Sequence, residues 1–161
     1  MNAVLQTGVE QIATPYFERP DFTLYQGDSL EILEQMEPEQ FDMIFADPPY
    51  FLSNDGVTCK SGRMVSVNKG RWDRSKGVME NHEFNLRWLA ACQRLLKPHG
   101  TIWVSGTHHV IYSIGFAMQA LNYKVLNDIA WFKVNPVVTF DLGEEKRIGV
   151  IRIYFQATDR A

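Results

Sequence analysis

Apolar and polar positions along this chain change period several times, and each change marks an element. Residues 1–20 show no clear period and contain Pro15 and Pro20. FTLYQGD (22–28) reads as a strand ending in a Gly-Asp turn. SLEILEQM (29–36) places Leu30, Leu33 and Met36 at helical spacing, with Asp28 or Ser29 available as the N-cap. FDMIFA (41–46) is an apolar run of strand length. Residues 51–80 are rich in Gly, Ser and Lys without a sustained period, which predicts a long loop. Loops of that length in compact domains are usually functional or disordered. HEFNLRWLAACQRLL (82–96) sets Phe84, Trp88, Leu89, Cys92, Leu95 and Leu96 on one helical face, and KPHG stops it. TIWVSG (101–106) is a strand, and HVIYSIGFAMQAL (109–121) is helical in pattern despite Gly115. YKVLNDIAWFKV (123–134) is a strand stopped by Asn135-Pro136, and GVIRIYFQAT (149–158) is a further strand. There is no internal repeat and no clean second domain.

Strand–helix alternation of this kind predicts an α/β sandwich with a largely parallel sheet. Ligands of such sheets sit at the carboxyl ends of the strands. Asp28, Asp47 and Ser105 each follow an apolar run directly, so all three are expected there.

Composition narrows the class. A chain of 161 residues suits one domain able to bury a core. At 45% hydrophobic and 12% aromatic residues it is a globule rather than a disordered tail. The net charge of −3 says little until it is divided. Between Gly56 and Gly77 lie Lys60, Arg63, Lys69, Arg71, Arg74 and Lys76 against Asp73 alone: six bases and one acid, a net +5, leaving −8 on the rest. A basic loop on an acidic body fits a nucleic-acid footprint; a solvated surface loop is the plainer alternative. Cys59 and Cys92 have neither disulfide nor zinc spacing, and no metal is expected. No apolar run reaches membrane-spanning length, and the N-terminus lacks a basic stretch followed by an apolar block, so a reducing cytoplasm is the expected location. His108 and His109 have no ligand-like neighbours and read as structural or surface residues. Trp88, Trp103 and Trp131 read as core, whereas Trp72 lies in the basic stretch.

The chemistry concentrates in Asp47-Pro48-Pro49-Tyr50. A strand ending in Asp also holds magnesium in P-loop nucleotidases, but that site needs G-x-x-x-x-G-K-[ST], which this sequence lacks. An Asp-Pro turn with a packed tyrosine is the structural alternative. The whole tetrapeptide at the end of an apolar strand, beside a basic loop, favours a site.

DPPY after DMIFA resembles the catalytic motif of amino-type DNA methyltransferases, which methylate adenine N6 or cytosine N4 from S-adenosylmethionine. YQGDSLEIL, MVSVNKGRWD, LLKPHGTIWVSGTHHVIYSIG and DIAWFKVNP are similar to that family too, so the resemblance spans roughly residues 22–136. It is nearest to the permuted class, in which the catalytic motif precedes the cofactor-binding glycine motif, and to bacterial restriction-modification adenine methyltransferases. The resemblance implies a partial Rossmann-like methyltransferase fold, a mostly parallel sheet with flanking helices. On this reading 1–21 is an N-terminal extension, 22–136 the catalytic-motif part and 137–161 a divergent tail.

The resemblance also implies roles. An exocyclic amine is a poor nucleophile because its lone pair is delocalised into the ring. Asp47 and the Pro48 carbonyl would accept its two N–H bonds, and the Pro48-Pro49 pair restricts the backbone that aims this carbonyl. Tyr50, or Phe51 beside it, would stack on a base flipped from the duplex. Ser53 and Asn54 would touch the target strand or simply make turns, and Lys69, Arg71 and Arg74 would touch the phosphates. Asp28 would contact the adenine amino group of S-adenosylmethionine, a role compatible with capping a helix.

Three family features are missing from the 161 residues: a glycine motif resembling D-P-F-x-G-S-G-T-T after WFKVNP, the acid that would hold the donor ribose, and a target-recognition segment. A truncated or frame-shifted gene would account for this, and so would a split enzyme whose second chain carries the glycine motif; in each case the expectation is a fragment inactive by itself and prone to self-association along the strand edge beside Asp47. The alternatives are cytosine-N4 methylation, where Ser more often stands at 47, protein-glutamine methylation, where Asn does, and a non-catalytic nucleic-acid-binding remnant or subunit.

Overall fold

The structure is a computed structural model that describes residues 14–53, 57–60, 63–66, 68–133 and 149–157. It opens with a hairpin, β1 (Phe17–Arg19) against β2 (Phe22–Leu24), separate from the main sheet. Helix α1 (Ser29–Gln35) starts at Asp28, whose Oδ1 accepts the Leu30 N–H at 2.9 Å and satisfies an orphan donor of the first turn. Then come β3 (Phe41–Ala46) and a second hairpin, β4 (Val57–Lys60) with β5 (Arg63–Ser66). A short 3₁₀ turn at Arg71–Asp73 leads into α2 (Val78–Leu95), and β6 (Leu96–Gly106) follows without a break. Helix α3 (Ile111–Ala120), β7 (Lys124–Lys133) and β8 (Gly149–Ala157) complete the described chain.

The main sheet has the order β3-β6-β8-β7. β3 and β6 are parallel, with Ile44 opposite Ile102 and Ala46 opposite Val104. β8 is antiparallel to both β6 and β7. Three strands therefore run one way, as the strand–helix alternation predicts, and β8 runs against them. β8 lies inside the segment expected as a divergent tail, yet it is hydrogen-bonded on both sides and belongs to the sheet.

Helices α2 and α3 cover one sheet face. Leu89, Ile102, Val104, Ile111, Ile114 and Met118 are fully buried between them and the strands. β3 alternates accordingly: Ile44 and Ala46 pack on this core while Met43 and Phe45 face away, exposed. Arg94 of α2 donates to the Leu33 and Met36 carbonyls at 2.7 Å each, capping the C-terminal end of α1 and fixing it to the helical layer. No helix among the described residues is long and apolar enough to cross a membrane.

Several expectations need correction. The strand expected over 22–28 is only Phe22–Leu24, paired with β1, so Asp28 caps a helix instead of ending a sheet strand. The loop expected over 51–80 contains β4, β5 and the start of α2. Its strands are too short to show a period, and cross-strand pairing supplies what the pattern lacks. α2 begins at Val78, ahead of the start expected at 82; exposed Val78 and Met79 in its first turn obscure the amphipathic spacing. β6 begins at Leu96, paired with Phe41, before the run expected from 101.

Candidate active site

β3 ends at Ala46 and delivers Asp47 at its carboxyl end. Its parallel neighbour β6 sets Val104 opposite Ala46, so Ser105 comes level with Asp47. Ser105 Oγ donates to Asp47 Oδ1. The Tyr50 hydroxyl donates to the same oxygen at 2.6 Å and lies 3.1 Å from Ser105 Oγ. A carboxylate, a phenol and a serine hydroxyl thus meet at the carboxyl ends of two adjacent strands.

Burial, and then the hydrogen bond to the Asp47 carboxylate, hold the Tyr50 hydroxyl above its ordinary pKa of 10.0; the Ser105 contact works the other way. Tyr50 is expected to titrate above that value, and Asp47→Asn to lower it by removing the charged acceptor while burial persists. The folded state holds this proton more tightly than the unfolded chain does. Its contribution to stability is therefore intact below pH 10.0 and erodes as pH rises past it. Ring-labelled tyrosine NMR reads the titration directly. A Tyr50 resonance unmoved by Asp47→Asn would show that the two side chains do not meet in solution.

The turn after the tetrapeptide is unusual. Phe51 has φ 54°, a left-handed conformation uncommon for an aromatic residue. Asp73 supports it. This side chain is fully buried, and its Oδ1 accepts the Tyr50 N–H at 3.0 Å and the Phe51 N–H at 2.9 Å. Its Oδ2 accepts the Ser53 hydroxyl at 2.7 Å, and its backbone carbonyl accepts the Ser53 N–H at 3.1 Å. Ser53 Oγ in turn accepts the Lys69 N–H at 2.9 Å. Ser53 is fully buried, so its hydroxyl ties two loop segments together and does not face outward toward a strand of DNA. Asn54 lies outside the described residues.

Lys69 stands with its Nζ 5.3 Å from the centroid of the Tyr50 ring, a cation–π contact beside Asp47. Arg71, Trp72, Arg74 and Lys76 line an open cavity of about 700 Å³ together with Gly27, Asp28, Pro49 and Phe51. Asp28 and Pro49 of the tetrapeptide thus share one cavity with the basic segment, and Glu80 and Glu83 of α2 line it too. Trp72 is 61% exposed there, and the chain turns beneath it at Gly70. At φ 136°, with a Cβ that would come 2.8 Å from the indole Nε1, no other residue fits that position. A smaller cavity of about 400 Å³ opens on the other side of Tyr50 and Phe51, lined by Ser75, Asn81, His109 and Ser113 among others.

Of the other candidates, His109 reaches the site by lining the smaller cavity beside Tyr50 and Phe51. Burial pushes the Cys92 thiol up to about 12, which leaves it unreactive. His108 and His109 are exposed, their rings 3.8 Å apart. No group of three metal-ligating side chains occurs among the described residues. The side chains of Cys59 and Trp131 lie outside the described residues. Sequence reasoning passed over Asp73 and undervalued Ser105. The signal for Asp73 was its isolation, a lone acid in a basic segment.

Helices on one face of a sheet with three co-directional strands, and D-P-P-Y at the carboxyl end of β3, make up part of a Rossmann-like methyltransferase fold. The family model described as DNA methylase matches residues 41–151, from the start of β3 into β8, and the chain belongs to that family. Among curated relatives, the Type II methyltransferase M2.LlaDCHI of Lactococcus lactis subsp. cremoris is 51% identical over 122 residues, covering 76% of this chain and 45% of that protein. M2.DpnII of Streptococcus pneumoniae is 48% identical over 122 residues, covering 76% of this chain and 46% of its own length. The chain spans about half the length of these relatives. Among solved structures, the DNA modification methylase TTHA0409 of Thermus thermophilus in complex with S-adenosyl-L-methionine shares the fold. Its TM-score is 0.53 at 17% identity, over 84% of this chain and 54% of that one.

Proposed function

We propose that this chain forms the amine-holding part of a site-specific DNA methyltransferase that moves a methyl group from S-adenosylmethionine to N6 of an adenine flipped out of the duplex. The observation that carries the reading is the Asp47 carboxylate, set at a strand end and already engaged by two hydroxyl donors. A carboxylate in that position accepts an N–H as readily as an O–H.

The arriving amine takes the place of the Tyr50 hydroxyl on Asp47, and its second N–H meets the Pro48 carbonyl. Both acceptors draw the nitrogen toward tetrahedral geometry and free its lone pair. Asp47 acts by charge and orientation, without a covalent step. The Tyr50 ring, released from Asp47, stacks on the base once Lys69 moves off its face; stacking contributes about 1–3 kcal/mol toward the cost of flipping. Asp28, across the shared cavity from Arg71 and Arg74, would hold the adenine end of the donor, which supplies an electrophilic sulfonium methyl. With the donor bound, the amine nitrogen held by Asp47 and Pro48 would take the methyl as the donor S–C bond breaks, and the surplus amine proton would pass to water.

The basic wall of the cavity supports DNA as the partner, and the names of the Type II relatives and the donor-bound neighbour support the reaction. The named relatives are bacterial, and bacterial DNA as substrate would place the protein in the cytoplasm. The reading also calls for a segment carrying the glycine motif, joined to this chain or supplied by another.

The test is transfer of labelled methyl groups to duplex DNA by the purified chain, alone and with the glycine-motif half of a relative added. Label is expected in N6-methyladenine when the glycine-motif half is added, and not from this chain alone. Label in N4-methylcytosine would overturn the choice of base. DNA binding without label in either arm would leave a non-catalytic nucleic-acid-binding module.

A further inference from the structure

We propose that Asp73 is a positioning residue of this site: its buried carboxylate sets the backbone that presents Tyr50 and Phe51 to the target base. The base as occupant rests on the proposed function; the holding of the turn does not.

Three observations carry it. First, the Asp73 carboxylate is fully buried, and among the described residues its hydrogen-bond partners are two backbone N–H groups and a hydroxyl, all donors. A buried carboxylate is tolerated where such donors converge on it. Second, the two N–H groups belong to Tyr50 and Phe51, at the point where Phe51 adopts its left-handed φ of 54°. One oxygen accepting two successive amides bends the chain there and keeps it bent. Third, Tyr50 is held at both ends by carboxylates. Its amide is on Asp73 and its hydroxyl on Asp47 before a base arrives; when the amine displaces the hydroxyl, the Asp73 contact is the one that still fixes the residue.

The same network reaches the ring face. Ser53 joins Asp73 Oδ2 to the Lys69 N–H, and the Lys69 ammonium sits over the Tyr50 ring. The pieces that would receive the base are thus tied to one carboxylate 22 and 23 residues further along the chain. Of the phosphate-facing side chains, Lys69 touches this set through its backbone N–H, whereas Arg71 and Arg74 project onto the cavity wall. Loss of Asp73 should therefore damage turnover and spare DNA binding.

The experiment compares the full chain with Asp73→Ala, Asp73→Ser and Asp73→Asn. Asn keeps an acceptor for both amides; Ala removes it, and Ser is too short to span both. Amide hydrogen exchange at Tyr50 and Phe51, measured without DNA, should be slow in the wild type and in Asp73→Asn and fast in the other two. The Tyr50 hydroxyl should titrate lower in those two as it leaves Asp47. In the methyl-transfer assay, kcat should fall about 10²-fold in Asp73→Ala and Asp73→Ser with KM for DNA little changed, since small displacements of a positioned group cost that much. Asp73→Asn should restore most of it. Protected amides without the carboxylate, unchanged kcat, or Asp73→Asn as impaired as Asp73→Ala would each overturn the proposal. A wild type that transfers no methyl group under any condition refutes the proposed function alone; exchange and titration still decide whether Asp73 holds the turn.

Discussion

Asp47→Ala is expected to lower methyl transfer by about 10³-fold or more while leaving DNA affinity nearly unchanged. The carboxylate acts on the reacting amine, and phosphates, which dominate affinity, are contacted elsewhere. The fold should survive the change. Asp47 is exposed, and the Ser105 and Tyr50 hydroxyls it leaves behind are 3.1 Å apart, close enough to hydrogen-bond each other. The variant is thus a fair test of chemistry, free of a folding defect. Labelled-methyl transfer and fluorescence anisotropy on the same preparation give both numbers. Full activity in Asp47→Ala would remove this residue from the mechanism, and with it the proposed function.

Replacing Lys69, Arg71 and Arg74 together with Ala is expected to weaken DNA binding across all sequences. The log–log salt dependence should flatten by roughly one unit for each phosphate that is no longer neutralised. The structure grades the three. Arg71 and Arg74 flank exposed Trp72 on the cavity wall, where a backbone can approach. Lys69 is drawn over the Tyr50 ring, so Lys69→Ala alone should change the slope least. The one acid of the segment, Asp73, is buried, so the surface it offers is more uniformly basic than the sequence count indicates. A salt slope identical to wild type in the triple variant would return these residues to a solvated surface.

Sequence and tertiary structure divide the site between them. Asp47, Pro48, Pro49 and Tyr50 are contiguous, and the apolar run before them reads as a strand, so the tetrapeptide and its position at a strand end were legible from residues alone. So were α3 and β7, which match the observed elements closely, and the body of α2, whose first turn was missed. Asp28 was legible as a helix cap for the same reason, since a cap and its helix are neighbours in sequence.

What surrounds the tetrapeptide was not legible. Ser105 reaches Asp47 across 58 residues, through the register of β3 on β6. Asp73 looks like one acid diluting a basic stretch until the chain folds back and buries it beneath Tyr50 and Phe51. β8 reads as a strand, but its place between β6 and β7, reversed, depends on which edges are open when it pairs. Local periods and motif chemistry are written in neighbouring residues, where backbone geometry alone sets which side chains share a face. Sheet order, strand register and the burial of a charge are set by free energies of contact between distant segments, and those exist only once the chain has folded.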